Sequence, residues 1–141
     1  MGMGRTAAAV LAGAVTWAAL WVGGTTAATA AWPDQLPAGV AITHIGVLAG
    51  YIAYSVALSV LAGYVASAVG AMRGVQAVRA LAVLQLLLGI GFEASAWSLT
   101  PVWYHLVFLA LIVPATLYGG RLRQQQYRRG SCTWHIESPS P

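Results

Sequence analysis

Three ionisable residues lie in stretches that otherwise hold almost no charge: His44, Glu93 and His105. Tyr104, directly before His105, adds a hydroxyl that could hydrogen-bond to the carboxylate. Two histidines and a carboxylate could bind a divalent metal, and the two histidines could ligate a haem or a chlorin-type pigment from two helices. Glu93 with either histidine could relay protons in a small transporter. These four residues are therefore the candidates for chemistry in this chain.

The elements that must position these residues are membrane-spanning helices. The chain of 141 residues is 59% hydrophobic and 7% charged, whereas soluble domains contain roughly 25% charged residues. Uncharged runs over 6–33, 35–72 and 94–120 each exceed the roughly 20 residues that a spanning helix needs. Together with the segment before residue 97, they predict one all-α domain over 1–123. It is a bundle of four transmembrane helices near 6–27, 41–69, 77–97 and 102–121.

The arginines orient this bundle. The chain has no lysine, and with four spans its seven basic residues would all lie on one side: Arg5, Arg73, Arg79, Arg121, Arg123, Arg128 and Arg129. Positive charge in short loops marks the cytoplasmic face, so we expect both termini in the cytoplasm of a bacterium, with the bundle in its inner membrane. These arginines can contact anionic lipid headgroups, and the basic composition then requires no nucleic-acid partner. We expect the polar tail over 124–141 to be cytoplasmic and disordered.

The first helix has one alternative interpretation. A basic start followed by an apolar run and small residues at 28–30 is also the pattern of a signal peptide. We favour an uncleaved helix, since the apolar run over 6–24 is longer than the usual core of roughly 7–15 residues. It also contains Trp17 and Trp21.

This topology places the three ionisable residues at similar depth. Each lies within about one turn of a helix end, and so about 6 Å below the outer edge. Side chains this close to the interface can reach water, so they can be accommodated in the membrane without a bound cofactor. We therefore favour a hydrogen-bonded cluster that holds three helix ends together, with no metal or cofactor. Metal is the weakest alternative because no His-x-x-x-His spacing occurs, and with only three acidic residues we do not expect an enzyme.

The second helix has two distinct faces. One face combines polar, aromatic and small residues: His44, Tyr51, Ser55, Ser59 and Ala62. The other face contains small residues at helical spacing: Gly46, Gly50, Ala53 and Ala57. Small residues let helix backbones approach closely, and polar side chains hydrogen-bond between helices. We therefore expect helix contacts on both faces, with Gly63 among the packing positions, and the small face can serve another protein.

Several short motifs resemble those of a family of small, uncharacterised four-helix bacterial inner-membrane proteins. One is Ala62-Gly63-Tyr64-Val65-Ala66. The others lie in the last helix and comprise Pro101-Val102-Trp103-Tyr104-His105-Leu106, Val113-Pro114-Ala115 and Gly119-Gly120-Arg121. The resemblance implies the four-helix layout and no activity.

The function expected from these observations is that of a non-enzymatic accessory subunit in the membrane. Its partners would be the lipid bilayer and other membrane-protein subunits, or further copies of itself. The competing hypothesis is a protein that binds haem or pigment, or a proton-coupled transporter, built on His44, Glu93 and His105.

Overall fold

The computed structural model describes residues 2–37 and 39–133, and these residues form four α-helices and no strand. The helices are α1 (Gly2–Ala31), α2 (Ile45–Gly70), α3 (Gly74–Ser95) and α4 (Val102–Thr133). A 3-10 turn over Ala71–Arg73 joins α2 to α3. The predicted all-α class is confirmed for this part of the chain.

Three helical stretches in the described residues are long and apolar enough to cross a membrane: Met3–Ala31, Ile45–Ser95 and Val102–Arg129. This number differs from the four spans that the sequence pattern predicts. The difference arises in the middle stretch, which is 51 residues long because the turn between α2 and α3 does not interrupt its helical run. Three candidate membrane-spanning stretches are therefore present, and the middle one includes the turn between α2 and α3.

Two helix boundaries differ from the predicted ones for identifiable reasons. The second helix begins at Ile45 rather than near residue 41, because the Ile42 backbone N–H donates to the Leu99 carbonyl, at 2.8 Å, and this bond holds the preceding residues outside the helix. The fourth helix continues to Thr133 instead of ending near residue 121. Arginine and glutamine favour helices, and α4 extends into the tail over 124–133, where the sequence pattern predicts disorder. The remainder of that tail, 134–141, lies outside the described residues.

The chain reverses direction immediately after α2. Ala71 has a φ of 49° and a ψ of −119°, a conformation that a side chain disfavours. The Gly74 backbone N–H donates to the Ala71 carbonyl, and a Cβ on Gly74 would lie 2.9 Å from the Ser67 carbonyl oxygen. The turn is thus tight enough to bring α3 back against α2.

The centre of the bundle is α2, which contacts α1, α3 and α4. Its closest neighbour is α4, since a Cβ added to Gly63 would lie 2.0 Å from the Thr116 carbonyl oxygen. A Cβ added to Gly119 would likewise lie 1.9 Å from the Val60 carbonyl oxygen. Around this contact the core is filled by large apolar side chains from all four helices, including Trp17, Leu48, Leu81, Phe108 and Ile112. The two glycines allow α2 and α4 to touch backbone to backbone.

Candidate functional site

The predicted pair of Glu93 and His105 is formed between α3 and α4. Glu93 lies two residues before the end of α3, and His105 is the fourth residue of α4. The side chains form a buried pair between His105 Nδ1 and Glu93 Oε2. His105 is 0% exposed and Glu93 6%. An acid and a base are therefore held together where water has little access.

The second nitrogen of His105 also has protein partners. Nε2 lies 3.2 Å from the Thr100 hydroxyl and 3.2 Å from the Thr100 carbonyl oxygen. Thr100 belongs to the short connection between α3 and α4, so one imidazole joins the end of α3 to the loop and to the start of α4. Nothing in the sequence pattern indicated Thr100.

Aromatic rings enclose the imidazole. The Trp97 ring stacks on it with centroids 4.5 Å apart and planes at 7°, and the Tyr104 ring meets it edge-on with centroids 6.0 Å apart. Trp97 itself is 53% exposed, so it covers His105 on the outer side. Its position eight residues before a histidine, across a short turn, was the signal that could have revealed the contact.

The third predicted member, His44, is not brought to this pair. It is exposed and precedes the first residue of α2, and its ring lies over Gly46, where an added Cβ would be 3.3 Å from Cε1. Within residues 2–37 and 39–133, no group of three or more His, Cys, Asp or Glu side chains is arranged to hold a metal. The cause is the extended segment before α2, which leaves His44 outside the helix instead of one turn within it.

Further polar groups lie in the interior of the bundle. The Thr116 hydroxyl donates to Gln85 Oε1 at 2.6 Å, which connects α4 to α3. Four buried polar atoms have no partner within the described residues: Trp17 Nε1, Ser55 Oγ, Ser59 Oγ and Gln85 Nε2. Buried polar groups normally have hydrogen-bond partners, ordered water included. These atoms add polar character to the core but no nucleophile with an activating base.

The two predicted faces of α2 have different surroundings. Ser55, Ser59 and Ala62 are buried in the bundle. The small-residue face of α2, which consists of Gly46, Gly50, Ala53 and Ala57, is exposed along its whole length. A Cβ added to Gly50 would meet no atom within 4 Å. Gly63, grouped with these residues at the sequence level, instead lies inside the α2–α4 contact.

The arginines gather at the opposite end of the bundle from Glu93. Arg5 Nε donates to the Val69 carbonyl, at 3.2 Å, and so joins the start of α1 to the end of α2. Arg123 lies over the Tyr64 ring, 6.0 Å from its centroid. The remaining arginines of this end are exposed on the α2–α3 turn, α3 and α4: Arg73, Arg79, Arg121, Arg128 and Arg129.

Comparison of this chain with protein-family models, with curated proteins and with solved structures finds no significant match.

Proposed function

We propose that this chain is a non-enzymatic subunit of the bacterial inner membrane, which crosses the bilayer four times and packs through the small-residue face of α2 against another membrane helix. That helix belongs to a partner protein or to a second copy of the chain. The observation on which the proposal rests is the exposure of Gly46, Gly50, Ala53 and Ala57. The following paragraphs give its support and its tests.

The length and packing of the middle stretch support four crossings. As one straight helix its 51 residues would extend over about 77 Å, far more than the roughly 30 Å of the hydrocarbon core. The reversal at Ala71 instead places α3 beside α2. Each of these helices, with 26 and 22 residues, has the length of one crossing. Arg73 of the α2–α3 turn and Arg79 of α3 then join the arginines of α1 and α4 on the cytoplasmic side.

Labelling of the single cysteine tests this topology. We expect Cys132 to react with a membrane-impermeant maleimide only after spheroplasts are opened, because four crossings leave the C-terminus in the cytoplasm. The matched control is Asp34→Cys in a Cys132→Ser background, since Asp34 lies in the exposed α1–α2 connection and should react in intact spheroplasts. Reaction of Cys132 in intact spheroplasts would instead indicate three crossings.

The small-residue face offers what a partner helix requires. In lipid, helices associate through close packing of small residues rather than through the hydrophobic effect. No helix of the described chain covers this face, although α2 is in contact with all three of the others. An open groove of about 410 Å³ adjoins it between α1 and α2, with Gly50 and Tyr54 among its walls. A second helix could therefore pack on the small-residue face and place a side chain in the adjoining groove.

A bulky residue at the centre of this face should prevent association. We expect Gly50→Leu to weaken the complex about 5- to 150-fold, since overpacking costs about 1–3 kcal/mol. The measurement is purification from the native membrane in mild detergent, with quantification of each co-eluting protein. Gly91→Leu is the matched control, because Gly91 lies at similar distance from the outer end of α3 and is equally open. A wild-type chain that elutes alone as a monomer, or equal effects of both substitutions, would contradict the proposal.

The buried pair of Glu93 and His105 favours proton-coupled transport as a second candidate. Ionisable groups inside a membrane are functional candidates, and this pair could exchange a proton between Oε2 and Nδ1. Haem or pigment ligation is a less direct fit, because both ring nitrogens of His105 already have protein partners. An iron ligand at His105 would first have to release Glu93 or Thr100.

A further inference from the structure

A groove lies at the arginine-rich end of the bundle, between the α2–α3 turn and the last third of α4. Its volume is about 340 Å³. One side is formed by small and apolar residues, among them Ala68, Met72 and Val75. The other side is formed by polar residues of α4, among them Arg123, Gln124 and Arg128. The groove is therefore apolar toward the turn and cationic toward α4.

Within residues 2–37 and 39–133, no carboxylate forms an ion pair with either arginine of this groove. The ion pair of Glu93 with His105 lies at the other end of the bundle. Asp34 belongs to the α1–α2 connection, on the side away from these arginines. Arg123 is half-buried and held over the Tyr64 ring, and Arg128 is exposed about 7.5 Å further along α4. Two guanidinium groups thus line one recess, where they can bind an anion.

The apolar side of the groove determines what kind of anion fits. Met72 is fully exposed and Val75 is 45% exposed, next to the positive groups. A free phosphate would use the arginines and leave this surface uncovered. An anionic phospholipid would cover both, because its acyl chain can lie on the apolar residues while its phosphate meets planar guanidinium groups that bind it through two hydrogen bonds each.

We propose that this groove binds one anionic phospholipid of the inner leaflet, with its phosphate between Arg123 and Arg128 and an acyl chain along Ala68, Met72 and Val75. The site lies away from the small-residue face of α2, so lipid binding and helix association can fail independently. It also lies away from the Glu93–His105 pair.

Native mass spectrometry of the purified chain with added lipid tests the proposal. We expect one phosphatidylglycerol to bind wild type more tightly than phosphatidylcholine does. Arg123→Gln with Arg128→Gln should weaken phosphatidylglycerol binding about 30-fold, and Arg128→Gln alone about fivefold, since each arginine contributes about the same. The single variant guards against a folding defect, because Arg128 is exposed.

The matched controls have the same change of charge outside the groove. Arg73→Gln with Arg79→Gln, and Arg79→Gln alone, should leave binding within about twofold of wild type. Equal losses in both pairs, or equal binding of the two lipids by wild type, would overturn the proposal, because either result indicates an unspecific effect of charge. Displacement of the lipid by millimolar inorganic phosphate would also overturn it, since phosphate alone would then satisfy the site.

Discussion

Gly63→Ala and Gly119→Ala are each expected to destabilise the bundle by at least about 3 kcal/mol, the upper end of the usual cost of overpacking. The added methyl group would lie 2.0 Å from the Thr116 carbonyl oxygen in the first variant and 1.9 Å from the Val60 carbonyl oxygen in the second. Backbone atoms cannot rotate away as a side chain can, so the two helices must separate. Their separation would also disturb the Thr116–Gln85 hydrogen bond, which joins α4 to α3.

Gly23→Ala supplies the control for both variants. An added Cβ at Gly23 would meet no atom within 4 Å, and alanine favours the helix over glycine by about 1 kcal/mol. The same chemical change should therefore stabilise the protein slightly in α1 and destabilise it strongly in the α2–α4 contact. The measurement is unfolding by titration with sodium dodecyl sulfate in mixed micelles, followed by circular dichroism. Equal unfolding midpoints for Gly63→Ala and Gly23→Ala would show that α2 and α4 do not touch at these glycines.

His105→Leu is expected to cost about 3–5 kcal/mol, because it leaves the Glu93 carboxylate buried without its partner. The same unfolding titration measures this loss. Glu93→Leu with His105→Leu should recover most of it, since replacement of a whole buried pair by apolar residues is often neutral. A single substitution as stable as wild type would mean that the two side chains do not form a buried pair.

Glu93→Gln separates a structural role of the pair from proton transfer. The amide can still hydrogen-bond to His105 Nδ1, so a pair that only joins α3 to α4 should lose little stability. A transporter that needs the carboxylate should lose proton flux into liposomes while it remains folded. Flux by wild type together with its loss in Glu93→Gln would favour the transport candidate over the accessory subunit.

The candidate site was predictable in part. Glu93 and His105 were expected to meet because each lies about one turn from a helix end on either side of a short connection, and two antiparallel helices place such positions side by side. The position of His44 depended on where α2 begins. That boundary is set by the hydrogen bond from Ile42 to Leu99, a contact between two loops that are distant in sequence. Hydropathy cannot reveal such a bond.

The sequence by itself determined the class of the protein. Its low charge and long apolar runs require an environment without water, where a chain must satisfy its backbone groups within helices. All seven arginines lie on one side of the predicted bundle, and this distribution predicts the orientation of the protein in the membrane.

Only the tertiary structure decided what each small residue of α2 does. Gly50 and Gly63 are the same residue type in the same helix. A Cβ added to Gly50 would meet no neighbouring atom, whereas one added to Gly63 would clash with the backbone of α4. Likewise, Arg123 and Arg79 are equal as charges, but only Arg123 lines the groove beside the α2–α3 turn. Periodicity shows which residues share a face of a helix. Periodicity does not show which neighbouring helix covers that face. The packing of the four helices decides this, and that packing includes the close α2–α4 contact at Gly63 and Gly119.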